Sequence, residues 1–310
     1  MHAVYGFFNN GGTRCYVSRL PDSTKLDEVL AVFAAIDELA IVVSPGNTDR
    51  NQVDKLVKHC ENLGDRFAVL DGPEEGDNSA APTFDGDSMP TSSHFGAMYH
   101  PWLQVFDPEL KQGEGKEMKT GAPRFVPPSG HVAGIYARVD ATRGVHKAPA
   151  NEIVYGALGL RWRVNTETQG VLNEKGINCI RDMNGDIRVW GARTFDPNST
   201  EFRYINVRRL FSYLNDSLRV GLQWTVFEPN NADLWARITR NVTSFLTTVW
   251  ASGALFGSSP EEAFYVKCDA ETNPPDQRDL GRVVTEIGVA IVRPAEFVII
   301  RLGQWNGPAK

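Results

Sequence analysis

Between residues 201 and 269 the apolar positions change period in an orderly way. Val207, Leu210, Phe211, Leu214 and Leu218 recur at steps of three and four, which predicts a helix over residues 204–220. Arg208, Ser212, Asp216 and Arg219 fall on its other face. Gly221 stops that helix, Trp224, Thr225, Val226 and Phe227 read as a short buried strand, and Pro229 closes it by removing a backbone donor. A second helix follows, capped by Asn230 or Asn231 and favoured by Asp233 at the positive end of its dipole. Leu234, Ile238, Val242, Phe245 and Val249 form its apolar stripe, and residues 263–268 alternate as a strand.

The first part of the chain alternates strand and helix patterns: a strand over 15–20, a helix over 26–39, an apolar strand over 40–46, a helix over 50–62 and a strand over 67–73. Short, continuously apolar strands closed by turn residues suit a sheet covered on both faces, so the fold class is α/β, a mixed sheet flanked by helices. Residues 73–93 are rich in Gly, Pro, Ser, Asp and Glu and read as a surface connection. A strand over 97–106, a loop over 108–128 and a helix over 130–139 follow. Residues 151–193 read as irregular, with a short helix near Glu174, a turn at Asn184-Gly185 and a strand over 187–190. After a Pro274-Pro275 loop come strands over 282–289 and 296–303, separated at Pro294.

Several runs carry a resemblance. Phe202-Arg203-Tyr204-Ile205-Asn206-Val207-Arg208-Arg209-Leu210-Phe211, Phe227-Glu228-Pro229-Asn230, Leu255-Phe256-Gly257 and Glu261-Glu262-Ala263-Phe264 closely resemble the contractile tail sheath family of phages and related injection systems. Pro127-Pro128-Ser129-Gly130-His131-Val132-Ala133-Gly134, Val189-Trp190-Gly191-Ala192-Arg193-Thr194 and Val292-Arg293-Pro294-Ala295-Glu296-Phe297 fit it equally well. The resemblance implies a subtilisin-like sheath core over residues 1–200 and an α+β C-terminal sheath domain over 201–310, packed as one body. It implies a structural protein without a cofactor, whose partners are other sheath subunits, an inner tube protein, and baseplate and terminator or cap proteins, with no bound nucleic acid and no membrane insertion. The expected location is the bacterial cytoplasm during assembly, then a virion tail or an extracellular contractile particle. The run from His2 to Gly12 resembles an interior segment of such sheaths, so the family's N-terminal arm is expected to be missing and long sleeves are not expected from residues 1–310 alone.

Composition narrows the picture in one respect. A formal charge of -6, with basic residues scattered along the chain, argues against a main role in gripping nucleic acid. The four cysteines, Cys15, Cys60, Cys179 and Cys268, are far apart and read as reduced thiols. No basic segment followed by an apolar one opens the chain, so no signal peptide is expected.

Candidate chemistry competes with plainer readings. Gly130-His131-Val132-Ala133-Gly134 resembles the histidine motif of subtilisin-like proteases, with Asp71 upstream as its acid, and makes an α/β hydrolase the alternative function. No nucleophile-bearing run follows, Ser258 and Ser259 being poor substitutes, so a helix start capped by Ser129, with His131 hydrogen-bonded locally, is the preferred reading. Gly113-Glu114-Gly115-Lys116-Glu117 lacks the spacing of a phosphate loop, His59 and Cys60 diverge on a helix, and Asp85-Gly86-Asp87-Ser88 lacks the closing ligand of a calcium loop. Arg203, Arg208 and Arg209 cluster at a helix start, where the dipole disfavours cations, so they either meet local acids or face a partner. The resemblance points to the second choice, a tube-binding surface. Glu296, Phe297, Val298, Ile299, Ile300 and Arg301 form a strand apolar on both faces, to be kept in its own sheet or lent to a neighbouring subunit.

Overall fold

Strands β1 (Ile41–Val43), β2 (Phe67–Asp71) and β3 (Gly96–His100) pair in parallel, and their side chains alternate between two separate cores. Ala68 and Leu70 join one, under α2 (Leu26–Ala34) and α3 (Arg50–Leu63). Phe67 and Val69 join the other, under α4 (Ser129–Arg143). Every residue of β2 and β3 is buried, which is what a run of apolar residues means in a parallel sheet covered on both faces. The chain is described here from a computed structural model over residues 1–20, 22–74, 84, 89–112 and 119–297.

Around that centre the chain adds α1 (His2–Asn9), which lies on α4, and the hairpin of β4 (Leu103–Gln112) and β5 (Lys119–Val126). Beyond α4 come β6 (Glu152–Ile153), β7 (Ala157–Leu160), α5 (Thr166–Glu174), β8 (Ile177–Met183) and β9 (Asp186–Trp190). The main sheet runs β1-β2-β3-β8-β9-β6, parallel as far as β8 and antiparallel after it. A three-stranded sheet, β5-β4-β7, stands beside it.

The last third is helical with a small sheet. It contains α6 (Ile205–Gly221), α7 (Ala232–Ala251), α8 (Pro260–Ala263), β10 (Phe264–Lys267), α9 (Pro275–Asp279) and β11 (Glu286–Val289), with β10 and β11 antiparallel. Leu210 and Leu214 of α6, the apolar stripe of α7, and Phe264 form its core. Helix starts follow side-chain chemistry: Asp49 accepts from Gln52 N at 3.0 Å, Asn165 from Thr168 N at 2.7 Å and Asn231 from Leu234 N at 3.0 Å.

Five expectations need correction. Residues 151–193 are not irregular but hold β6, β7, α5, β8 and β9, with β8 paired to β3 in the main sheet. Residues 108–112 and 119–126 are paired strand, since β4 and β5 form a long hairpin. Trp224 to Phe227 is not a buried strand: residues 223–225 make one turn of 3-10 helix, and Val226 and Phe227 are exposed. Residues 15–20 form no strand and pair with none among the described residues. The expected strand over 97–106 is split between β3 and β4 around Pro101. The segments holding Asp85 to Ser88 and Gly113 to Glu117, most of the 73–93 connection, and the C-terminal run from Val298 lie outside the described residues.

Candidate functional site

The apparent histidine motif is built for packing. A side chain at Gly130 would meet the Ala3 backbone at 2.4 Å, and one at Gly134 would meet the Phe7 carbonyl oxygen at 2.3 Å, so the two glycines let α1 lie directly on α4. His131 points beneath α1, where a side chain at Gly6 would touch its ring at 2.4 Å. It is 2% exposed, and its Nδ1 has no hydrogen-bond partner among the described residues. Burial, helped by His2, pushes its pKa down to about 4, so the ring is neutral near pH 7.

Asp71 is committed elsewhere, accepting bonds from Gly46 N at 2.9 Å and from the Ser129 amide and hydroxyl at 2.7 Å each. Burial pushes its carboxyl up to about 6 against those bonds. Ser129 therefore ties the start of α4 to the end of β2 and does not cap the helix, and His131 lacks the expected local bond. Ser258 belongs to the turn into α8, where its amide donates to Glu262. Nothing among the described residues brings nucleophile, base and acid together. No group of metal-ligating side chains occurs among the described residues, and none of their helices is long and apolar enough to cross a membrane. The Cys60 thiol is buried and pushed up to about 12, and the four cysteines are unpaired.

The arginines at the start of α6 are brought together, but two of them face inward. Arg209 is 6% exposed, donates to both oxygens of Asp140 on α4 at 2.9 and 2.6 Å, and lies over the Tyr136 ring at 4.8 Å. Burial works against its charge, but Asp140 and the tyrosines Tyr136 and Tyr99 hold its pKa above the ordinary value. Arg208 is half-buried over Phe95 and Phe202, 4.5 Å from each ring, and burial lowers it to about 10. The reading of Arg208 and Arg209 as an outward, tube-facing surface is thus corrected: Arg209 meets an acid on α4, and Arg208 lies among aromatic rings. Arg203 is half-buried, its Nε donating to the Ser199 carbonyl at 3.4 Å.

Glu296 is also held by its own body. It accepts from Arg193 Nε at 2.8 Å and Nη2 at 2.9 Å, from Asn173 at 2.8 Å and from the Tyr204 hydroxyl at 3.0 Å, with both ion-pair side chains 14% exposed. Burial alone would raise its carboxyl, but these donors hold it below the usual range. The next residue, Phe297, is exposed and unpaired, so Glu296 is the last firm contact before Val298, Ile299, Ile300 and Arg301, which lie outside the described residues.

Sequence reading misses the turn between α6 and α7. Phe227 is 103% exposed with φ +68°, a conformation rarely adopted by an aromatic residue, and Val226 beside it is 60% exposed. The Arg237 guanidinium lies over Trp224 at 4.4 Å and donates to Glu228 at 3.2 Å, while Arg240 stands exposed one turn further along α7. An apolar run next to a helix end is legible, but its outward direction is not.

Residues 24–195 match the phage tail sheath protein central domain, and residues 198–303 match the phage tail sheath C-terminal domain. A prophage major tail sheath protein of Pseudomonas aeruginosa is 25% identical over 278 residues, covering 86% of this chain and 65% of its own length. The tail sheath protein of Burkholderia phage BcepMu is 28% identical over 215 residues, covering 66% of this chain and 42% of its own. The chain thus spans less than two thirds of the length of either curated relative. Among solved structures, a chain of the anti-feeding prophage baseplate superposes with a TM-score of 0.80 at 32% identity, covering 98% of this chain and 80% of that one. A chain from the sheath complex of an extracellular contractile injection system in its contracted state gives the same values.

Proposed function

The chain belongs to the phage tail sheath family, and from that premise we propose that it is a structural subunit of a contractile sheath, polymerising around an inner tube and contracting to drive that tube through a target envelope. The observation that carries the reading is the likeness, over 98% of the chain and at 32% identity, to chains of the anti-feeding prophage and injection-system particles. The hydrolase alternative has no support, because His131 is sealed beneath α1 and Asp71 is used to hold Ser129. Work in such a machine comes from re-packing subunits into a lattice of lower energy, which needs no active site.

Residues 1–200 and 201–310 then act as two units moving together. Supporting this, Arg209 bonds Asp140, Asn206 donates to the His146 carbonyl at 2.8 Å and Ser212 donates to the Gly64 carbonyl at 2.7 Å, all across that boundary. The parallel order β1-β2-β3-β8 with α4 behind it favours a subtilisin-like core without its chemistry. We assign tube contact to the outward turn at Phe227 with Arg237 and Arg240, and keep Arg203 as the remaining candidate at the start of α6. The apolar run 296–301, anchored at Glu296, serves as the tie lent to a neighbouring subunit, while baseplate and terminator proteins bound the ends of the sleeve. Assembly takes place in the bacterial cytoplasm, before the sheath becomes part of a virion tail or extracellular particle.

The test is electron microscopy of particles from cells with and without the gene for this chain. Bare tubes, or no particles, are expected in its absence; normally sheathed, contractile particles overturn the reading.

A further inference from the structure

Strand β1 is the edge of the six-stranded sheet, and its outer side pairs with nothing among the described residues. Beside it lies a half-open cavity of about 840 Å³, lined by Ile41 and Val43 of β1, by Leu26 and Phe33 of α2, and along its rim by residues 13–18. That segment belongs to no helix or strand, and Cys15 is exposed, Tyr16 is 42% exposed and Val17 71%. Its side-chain ties in this region run from Arg14 and Tyr16 to Glu38. A strand-like sequence therefore stands in water next to an unpaired strand edge and an apolar space.

Connectivity says how the two belong together. Residues 15–20, helix α2 and strand β1 follow one another just as β1, α3 and β2 do, and β1 with β2 is a parallel pair. A strand, a helix packed on one sheet face, and a further strand make the right-handed crossover that places the two strands side by side in parallel. Side-chain parity agrees. Leu20 already packs against the core under α2 and α3, which also holds Val42. Putting Leu20 on that side sends Cys15 and Val17 to the opposite face, where Ile41 and Val43 pack and where Ala133 and Ala137 of α4 line the cavity.

We propose that residues 15–20 are a strap that closes onto β1 as a seventh strand, turning Cys15 and Val17 into the cavity and covering the edge. Closure protects an edge that would otherwise pair with any extended chain, and opening makes that edge available. The arrangement described here is the open one.

Pulse alkylation with iodoacetamide, read by peptide mass spectrometry, follows Cys15 separately from the buried Cys60, Cys179 and Cys268. In the native chain Cys15 is expected to label roughly tenfold or more slowly than in Val17→Asp, which cannot bury its side chain in the closed state. Val17 is 71% exposed in the open state, so that substitution does not threaten the rest of the fold. Equal labelling rates overturn the proposal. Hydrogen exchange of the unsubstituted chain is the independent measurement: slow amides in both 15–20 and 41–43, at every protein concentration, support the strap. Fast exchange in either segment, or protection that appears only as concentration rises and so comes from a second copy, overturns it.

Discussion

Helix α4 and the turn between α6 and α7 invite opposite misreadings. In α4 a motif that suggests chemistry proves to be packing: Gly130 and Gly134 admit α1, and His131 is shut beneath it. In the turn a run that suggests packing proves to be surface, with Phe227 wholly exposed on a left-handed backbone. A glycine-histidine motif and a short apolar run are each ambiguous until the neighbouring elements are placed. What separates them is the cost of change, since α4 is buried from Ser129 to Tyr136 and the turn is bounded by solvent.

The contrast is tested most severely at Asp140. Replacing it with Ala leaves the Arg209 charge buried without its partner, and chemical denaturation should show a loss of about 3–5 kcal/mol. A loss below about 1 kcal/mol would mean that Arg209 finds water and that α6 is loosely seated. Next comes Gly134→Val, whose side chain meets the Phe7 carbonyl and forces α1 away from α4; about 3 kcal/mol of destabilisation is expected in the same measurement.

Acid sharpens the contrast further. His131 has a folded pKa of about 4, below its unfolded value of 6.5, so its contribution is fully present above pH 6.5 and is lost as pH falls through 4. That loss is about 3 kcal/mol between pH 7 and 4. Asp71 acts in the opposite sense. Its folded pKa of about 6 lies above 3.8, so the stability gained from taking up a proton in the fold is present at low pH and lost as pH rises through 6. Asp71→Asn should therefore deepen the fall in stability from pH 7 to pH 4 by about 2 kcal/mol, read from urea midpoints at the two pH values. An unchanged slope would remove the account of Asp71.

The smallest effect on stability belongs to the turn. Phe227→Gly is expected to leave stability within about 0.5 kcal/mol or raise it slightly, because it removes strain and no buried contact. Combined with Arg237→Glu and Arg240→Glu it should weaken co-sedimentation with the tube protein by roughly tenfold. A destabilised fold would show that the turn is covered from within.

Helices α3, α6 and α7 are legible in the sequence to within a few residues, because their apolar stripes, and for α3 and α7 the caps Asp49 and Asn231, are local to each segment. The family can be read from short runs for the same local reason. The roles of Arg208 and Arg209 cannot: Asp140 lies 69 residues before Arg209, and Arg208 is held in part by Phe95 from far upstream. Locally both are cations at an unfavourable helix end. The β4–β5 hairpin is hidden because its apolar alternation, with Leu103 and Val105 buried and Phe106 exposed, gives way after Asp107 to a polar sequence that carries no period of two. Residues 15–20 carry strand character without the neighbour that completes a strand. Glu296 sits at the head of an apolar run that suggests a strand lent outward, and the donors that pin it come from three separate segments.

That pinning makes Glu296 a rivet with a measurable radius. A pull on the chain beyond it meets the Arg193 fork and the Tyr204 hydroxyl before it reaches β11 or the core behind it. The following residues through Gly303 span at most about 24 Å when fully stretched. Any sheet that receives this strand must therefore come within that distance of Glu296, whatever angle the two bodies adopt.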